Sequence, residues 1–170
     1  MDGLINCYNP TIVLLGESDD NDAEFAWSTS DGEFLGNINI AEPTVISGGS
    51  YELQVTNPDN GCTSEDEVIV QEDFTEPTID LGTAEGMIDC ENPQITILGT
   101  SVSPDTYTNE IEWTWIEGEG GLLNPTSLEP SAALPGEYTL TVTFIENGCS
   151  TTANDMPALS GLQGPGEITK

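Results

Sequence analysis

The chain contains no histidine and one basic residue, Lys170, in 170 positions. Without histidine, neither a Ser/His/Asp nor a Cys/His nucleophile system can be assembled, and His-ligated zinc or copper is excluded. Without an internal lysine there is no Schiff base, no Lys–Asn isopeptide crosslink and no internal trypsin site. One basic residue against 31 Asp and Glu leaves a net charge of -30. Such a surface repels phosphate backbones and anionic lipid, so nucleic acid and membrane surfaces are excluded as partners. Saline water, divalent cations and cationic surfaces remain. Apolar runs long enough to cross a bilayer are absent, as is a signal peptide, so the chain reads as a soluble segment with no direct membrane insertion.

The sequence does contain a repeat. Gly3-Leu4-Ile5-Asn6-Cys7 with Asn9-Pro10 returns as Gly86-Met87-Ile88-Asp89-Cys90 with Asn92-Pro93. Gly49-Ser50-Tyr51-Glu52-Leu53-Gln54-Val55 and Asn60-Gly61-Cys62 return as Gly136-Glu137-Tyr138-Thr139-Leu140-Thr141-Val142 and Asn147-Gly148-Cys149. The front motif recurs at an offset of 83 (3 to 86) and the back motif at 87 (49 to 136), so the second copy gains four residues, most of them in 101–110. Gly166-Glu167-Ile168-Thr169-Lys170 looks like the front motif once more. Two domains are therefore expected, 1–75 and 76–160, with 161–170 a linker or the start of a third copy. Scaffolds repeated in this way build stalks, adhesins and filaments more often than enzymes.

Both copies read as all-β. The stretches 11–15, 24–29, 44–47, 50–57 and 65–71 are rich in Val, Ile, Thr and aromatics and are separated by Gly, Pro, Asn and Asp. Apolar and polar residues alternate in Tyr51–Val55 and in Tyr138–Val142, as in a strand with one buried face. The expected architecture is two tandem immunoglobulin-like antiparallel β-sandwiches. Trp27 and Trp113 fall on the third strand, and Tyr51 and Tyr138 sit where a tyrosine corner would stand, so all four are assigned to the core. A further strand at 78–81 opens the second copy and is largely missing from the first, which leaves the first sandwich with an open edge.

Four cysteines without CxxC spacing argue for disulfides and an oxidising, extracellular compartment. Three pairings are possible. Cys7 with Cys62 and Cys90 with Cys149 would make each repeat self-contained, one bridge per domain.

The pattern Ile-x-Cys-x-x-Pro, aromatic-x-Trp, Pro-Thr-Val, Gly-x-Tyr-x-Leu-x-Val-Thr-Asn and Asn-Gly-Cys-Thr resembles the immunoglobulin-like or PKD-like repeats of very large Bacteroidota surface proteins, including gliding-type adhesins and related filaments. The resemblance spans both copies; the second has Pro-Ser-Ala for Pro-Thr-Val and a poorly strand-like tail at 154–157. It implies a secreted spacer, adhesion or filament module at the cell surface, with no catalytic residue.

Two acidic sets are candidates for calcium, the one cofactor considered: Asp19, Asp20, Asp22 and Glu24 in one loop, and Asp73, Glu76 and Asp80 at the junction. Neither matches an EF-hand or linker signature, and a solvated acidic loop is the simpler reading. No carboxylate pair stands out for glycoside hydrolysis. The expectation is a non-catalytic structural module whose partners are neighbouring repeats. A first alternative is a glycan- or protein-binding module using Tyr107 and Trp115, and a second is a filament subunit that self-associates by strand complementation.

Overall fold

The computed structural model describes residues 4–84, 88–115, 121–134 and 136–153. The chain divides into two compact units, Met1–Thr75 and Glu76–Lys170. Among the described residues every regular element is a strand.

In the first unit β1 (Leu4–Asn6), β3 (Glu24–Thr29), β6 (Gly49–Thr56) and β7 (Thr63–Asp73) form a sheet in the order β1-β7-β6-β3. The strands β2 (Ile12–Val13), β4 (Phe34–Leu35) and β5 (Thr44–Val45) form a second, ordered β2-β5-β4. Ile5, Leu14, Trp27, Val45, Tyr51, Leu53 and Val70 make one buried cluster that draws on both sheets. The unit is thus a two-layer sandwich, with its second, fifth and fourth strands facing its third, sixth and seventh, as in the immunoglobulin fold. The strand β1 carries the front motif, is short, and is not the counterpart of a strand at 78–81. It runs parallel to β7 and covers it only from Gln71 to Asp73. From Thr63↔Thr56 to Val70↔Gly49, β7 pairs antiparallel with β6.

The second unit repeats this scheme. The strands β10 (Ile95–Leu98), β13 (Leu122–Leu123) and β14 (Ser131–Ala132) correspond to β2, β4 and β5; β12 (Asn109–Trp115), β15 (Tyr138–Phe144) and β16 (Ser150–Ala153) correspond to β3, β6 and β7. Three strands have no counterpart in the first unit. The strand at the start of the unit, β8 (Thr78–Asp80), pairs with β11 (Ser101–Ser103), and β9 (Thr83–Ala84) pairs with β10. The inserted segment 101–110 therefore supplies the partner of the opening strand. The tail 154–157 and the expected third copy at 161–170 lie outside the described residues.

Each core is organised by one tryptophan and one tyrosine. Trp27 is 4% exposed and Trp113 3%, while Tyr51 and Tyr138 are wholly buried. Burying such a ring is worth roughly 4 to 6 kcal/mol by area, provided its polar atom finds a partner. The Trp27 indole N–H donates to Ile40 O at 3.1 Å, and that of Trp113 to Ser127 O at 2.8 Å. The Tyr51 hydroxyl donates to Ser47 O at 2.7 Å and accepts the Glu33 N–H at 3.0 Å. The Tyr138 hydroxyl likewise reaches Leu134 O, four residues upstream. Each ring thus ties a loop to the sheet it grows from. Gly32 lies against Tyr51 so closely that an added Cβ would stand 2.4 Å from its hydroxyl.

Tyr51→Phe should lower stability by about 1–3 kcal/mol, because it strands a buried N–H and a buried carbonyl. Urea unfolding monitored by tryptophan fluorescence measures it, and an unchanged midpoint would remove the hydroxyl from the account.

Candidate functional site

The residues that the two units repeat most closely outside the core lie in two cysteine-bearing turns. In the front turn, Asn6 Oδ1 accepts the N–H groups of Tyr8 (3.1 Å) and Asn9 (2.8 Å), and the Asn6 N–H donates to Asn9 O at 3.0 Å. In the second unit Asp89 does the same for Glu91 (2.8 Å) and Asn92 (2.7 Å), with its own N–H on Asn92 O at 2.9 Å. Short polar side chains hold such a turn because they replace a backbone acceptor. Each turn carries an exposed cysteine, Cys7 or Cys90.

The back turn is equally conserved between units. The Asn57 N–H donates to Cys62 O at 2.9 Å and the Gly61 N–H to Asn57 O at 2.8 Å; Phe144, Cys149 and Gly148 repeat both bonds at 2.9 and 2.8 Å. The Cys62 N–H donates to Asn60 Oδ1 at 2.8 Å, and that of Cys149 to Asn147 Oδ1 at 2.9 Å. Gly61 and Gly148 sit at φ 73° and 75°, the left-handed region in which a side chain would be strained. The two turns differ in exposure and in their first residue, since Asn57 Oδ1 also accepts the Asp59 and Asn60 N–H groups, for which Phe144 has no acceptor. Asn147 and Cys149 are buried, whereas Asn60 and Cys62 are exposed.

Cys7 and Cys149 are disulfide-bonded, and Cys62 and Cys90 are free. This corrects the expected pairing of Cys7 with Cys62 and of Cys90 with Cys149. The reason is the length of β7. Asn6 stands opposite Asp73 at one end of that strand, while Cys62 precedes Thr63 at the other. Eleven residues separate the ends, which is roughly 33 Å at about 3.3 Å per residue, and a disulfide needs Cα atoms within about 7 Å.

The acidic candidates do not assemble. Asp20 accepts the Asp22 N–H on one oxygen (3.0 Å) and the Asn57 amide on the other (2.6 Å), while its own N–H goes to Ser18 Oγ at 3.2 Å. Glu24 is exposed on β3, Asp73 accepts the Thr75 N–H at 3.0 Å, and Asp80 lies on β8 opposite Ser101. Among the described residues no three His, Cys, Asp or Glu side chains are placed to hold a metal ion, and the junction residue Glu76 joins no such group. None of the described residues is basic, so the donors to their carboxylates are backbone N–H groups, hydroxyls and side-chain amides. Glu146 is the clearest case: its two oxygens accept the Thr108 N–H at 2.9 and 3.0 Å. Hydrogen bonds from Thr108 hold its carboxyl below the usual glutamate range.

Of the two candidate ligand-binding aromatics, Tyr107 stacks on Phe144, with centroids 4.4 Å apart and planes 12° from parallel, and is half-buried. It is a packed ring within the second unit. The Trp115 backbone pairs with Tyr138, and its side chain lies outside the described part. In the first unit a groove of about 270 Å³ opens between the layers, lined by Ile12–Leu15, Trp27, Leu53 and Val70, with Asp66 and Glu67 at its β7 side. Those acids and Glu65 charge the strand edge, which opposes pairing with another chain of the same sign.

No family model matches the chain, and no curated protein matches it. Among solved structures it is similar to the EC1-3 fragment of Drosophila N-cadherin, with 13% identity, a TM-score of 0.40, and coverage of 92% of this chain and 62% of that one. It is similar also to three N-terminal domains of the bacteriophage RB49 highly immunogenic outer capsid protein (15%, 0.38, 86% and 56%). Titin domains z1z2, solved in complex with telethonin, give 13% identity and a TM-score of 0.31 over 96% of this chain and 93% of that one. The chain spans less than two thirds of the cadherin and phage fragments.

Two outcomes are expected from the charge arrangement. Calcium and magnesium chloride at matched ionic strength should raise the thermal midpoint equally, since both act by screening; an additional rise with calcium would establish a specific site. The Glu146 carboxyl contributes stability above the ordinary glutamate pKa, and that contribution is lost as pH falls through its lower folded value. NMR titration should therefore find Glu146 ionising below the ordinary glutamate pKa, with the Thr108 amide shifting in step; a midpoint at or above the ordinary value would contradict it.

Proposed function

We propose that this chain is a non-catalytic extracellular structural module, a pair of immunoglobulin-like repeats from a cell-surface adhesin or filament. The observation that carries this reading is the duplication of the scaffold in its fine structure. The tryptophan N–H to carbonyl bond, the tyrosine bond to a carbonyl four residues upstream and the main bonds of both cysteine turns recur in the two units. Duplication at that level conserves a building element, and among the described residues no three His, Cys, Asp or Glu side chains placed to hold a metal ion accompany it. A disulfide supports an oxidising compartment. The dense negative charge keeps such a module soluble and apart from its neighbours at moderate salt.

Immunogold labelling of intact source cells with antibody raised against this chain should decorate the exterior. Labelling only after lysis would overturn the extracellular placement. A glycan array should give no saturable binding; binding abolished by Trp115→Ala would replace the structural reading with an adhesive one.

A further inference from the structure

We infer that the groove between the layers of the first unit is a receptor for one extended strand, the segment that opens a repeat of this sequence type, donated by another polypeptide. Each unit supplies half of the argument, because the second contains such a strand in the equivalent place. There the segment 78–84 bridges the gap between the two layers. Its end, β9, pairs antiparallel with β10 (Leu98↔Thr83, Ile97↔Ala84), its start, β8, packs beside β16, and Ile79 and Leu81 lie on the core cluster. The strands β10 and β16 correspond to β2 and β7, which flank the groove of the first unit. Among the described residues no strand pairs with the outer edge of β2.

The backbone of that edge is poised for a partner. The offset of 83 sets Ile12, Leu14 and Leu15 against Ile95, Ile97 and Leu98. Leu14 and Ile97 each give their N–H to the proline carbonyl that precedes β5 or β14, Pro43 or Pro130, at 2.9 Å, so the next residue turns its N–H and carbonyl the other way. In the second unit that residue, Leu98, meets Thr83. In the first it is Leu15, whose N–H has no partner among the described residues. The apolar floor is correspondingly less covered. Ile12 is half-buried where Ile95 is buried, and Leu53 keeps 7% exposure where Leu140 has none.

The occupant is a segment with the pattern of 78–84. Strand addition draws affinity from main-chain bonds and selectivity from alternate side chains; here Leu15 supplies the bonds, and apolar residues two apart, as Ile79 and Leu81 are, reach the floor. A glycine is needed where the backbones come close, since a Cβ added at Gly82 would collide with Leu98 O. The Gly82 N–H goes to the Thr100 hydroxyl at 3.0 Å, and the first unit has Glu17, again an acceptor, at the matching position. Charge selects the edge. Glu65, Asp66 and Glu67 repel an acidic strand along β7 and leave β2 for pairing, while the segment 78–84 carries Asp80 as its single charge. The repeat reading proposed above enters only in naming the donor; the receptor is a property of the first unit.

The test uses the intact chain in about 0.5 M NaCl, which screens charge beyond roughly 4 Å, and a synthetic peptide of residues 77–84 with blocked ends. NMR should show saturable shifts of the Leu14, Leu15 and Val70 amides, half-complete at or below about 1 mM peptide. The Ile97 and Leu98 amides should stay in place, because the chain's own strand already sits there. At saturation the Leu15 amide should exchange with solvent at least about tenfold more slowly, whereas Leu98 should be protected throughout. Peptides carrying Leu81→Asp, or an N-methyl group at Thr83, should bind about tenfold more weakly or worse. Both changes are made in the ligand, so folding of the protein is not in question. A chain carrying a copy of 76–85 directly ahead of Gly3, as 76–85 stands ahead of Gly86, should no longer take up the peptide. No shift up to about 5 mM peptide, equal binding of the N-methylated or a scrambled peptide, or undiminished uptake by the extended chain would each overturn the inference. Such a failure leaves the extracellular structural reading standing, since labelling of cells decides that one.

Discussion

The fold depends on a buried phenol being allowed to keep its hydrogen bonds. Tyr51 and Tyr138 are wholly enclosed, and an enclosed hydroxyl without partners would cost about as much as the ring's burial can offset. The chain therefore has to bring a carbonyl from four residues upstream to each oxygen, Ser47 for one and Leu134 for the other. That requirement fixes how the segment before β6 or β15 turns into its strand. The tryptophans impose a second condition of the same kind on the loops that end near Ile40 and Ser127. Once both are met, the two layers are held in register by residues that are themselves the core, and the remaining surface is free to vary.

What varies is charge. A folded domain with no basic side chain among its described residues has no ion pairs there to organise its carboxylates, and it uses main-chain donors instead. Gly48, Ser50 and Thr108 each give an N–H to an acidic side chain, Glu72, Asp31 and Glu146 respectively. Bonds of this type stabilise turns locally while leaving the long-range repulsion in place, so salt is the natural modulator of this protein's stability.

The strands with a clear period were legible in the sequence. Alternation in Tyr51–Val55 identified the buried face of β6, and the run 24–29 coincides with β3. Two-residue strands such as β4 and β13 are too short to show any period, and the strand character of β1 comes from the neighbour it meets rather than from its three residues. The cysteine pairing was misread for a different reason. Matched motifs suggested a bridge within each copy, yet β7 runs parallel to β1, so the turn leaving β1 and the turn entering β7 must sit at opposite ends. Counting strand directions would have exposed that. The asparagines and aspartate that hold the turns were visible only as repeated letters; their work as backbone acceptors needed coordinates.

The eleven residues of β7 also set a diagnostic consequence. Cys7 follows the end of β1 that lies opposite Asp73, while Cys62 precedes Thr63 at the other end of β7, so a folded first sandwich keeps their sulfurs beyond the reach of a disulfide. A peptide joining the two after oxidation would therefore be a covalent record of chains that had lost that strand, a stamp of unfolding readable long after the event.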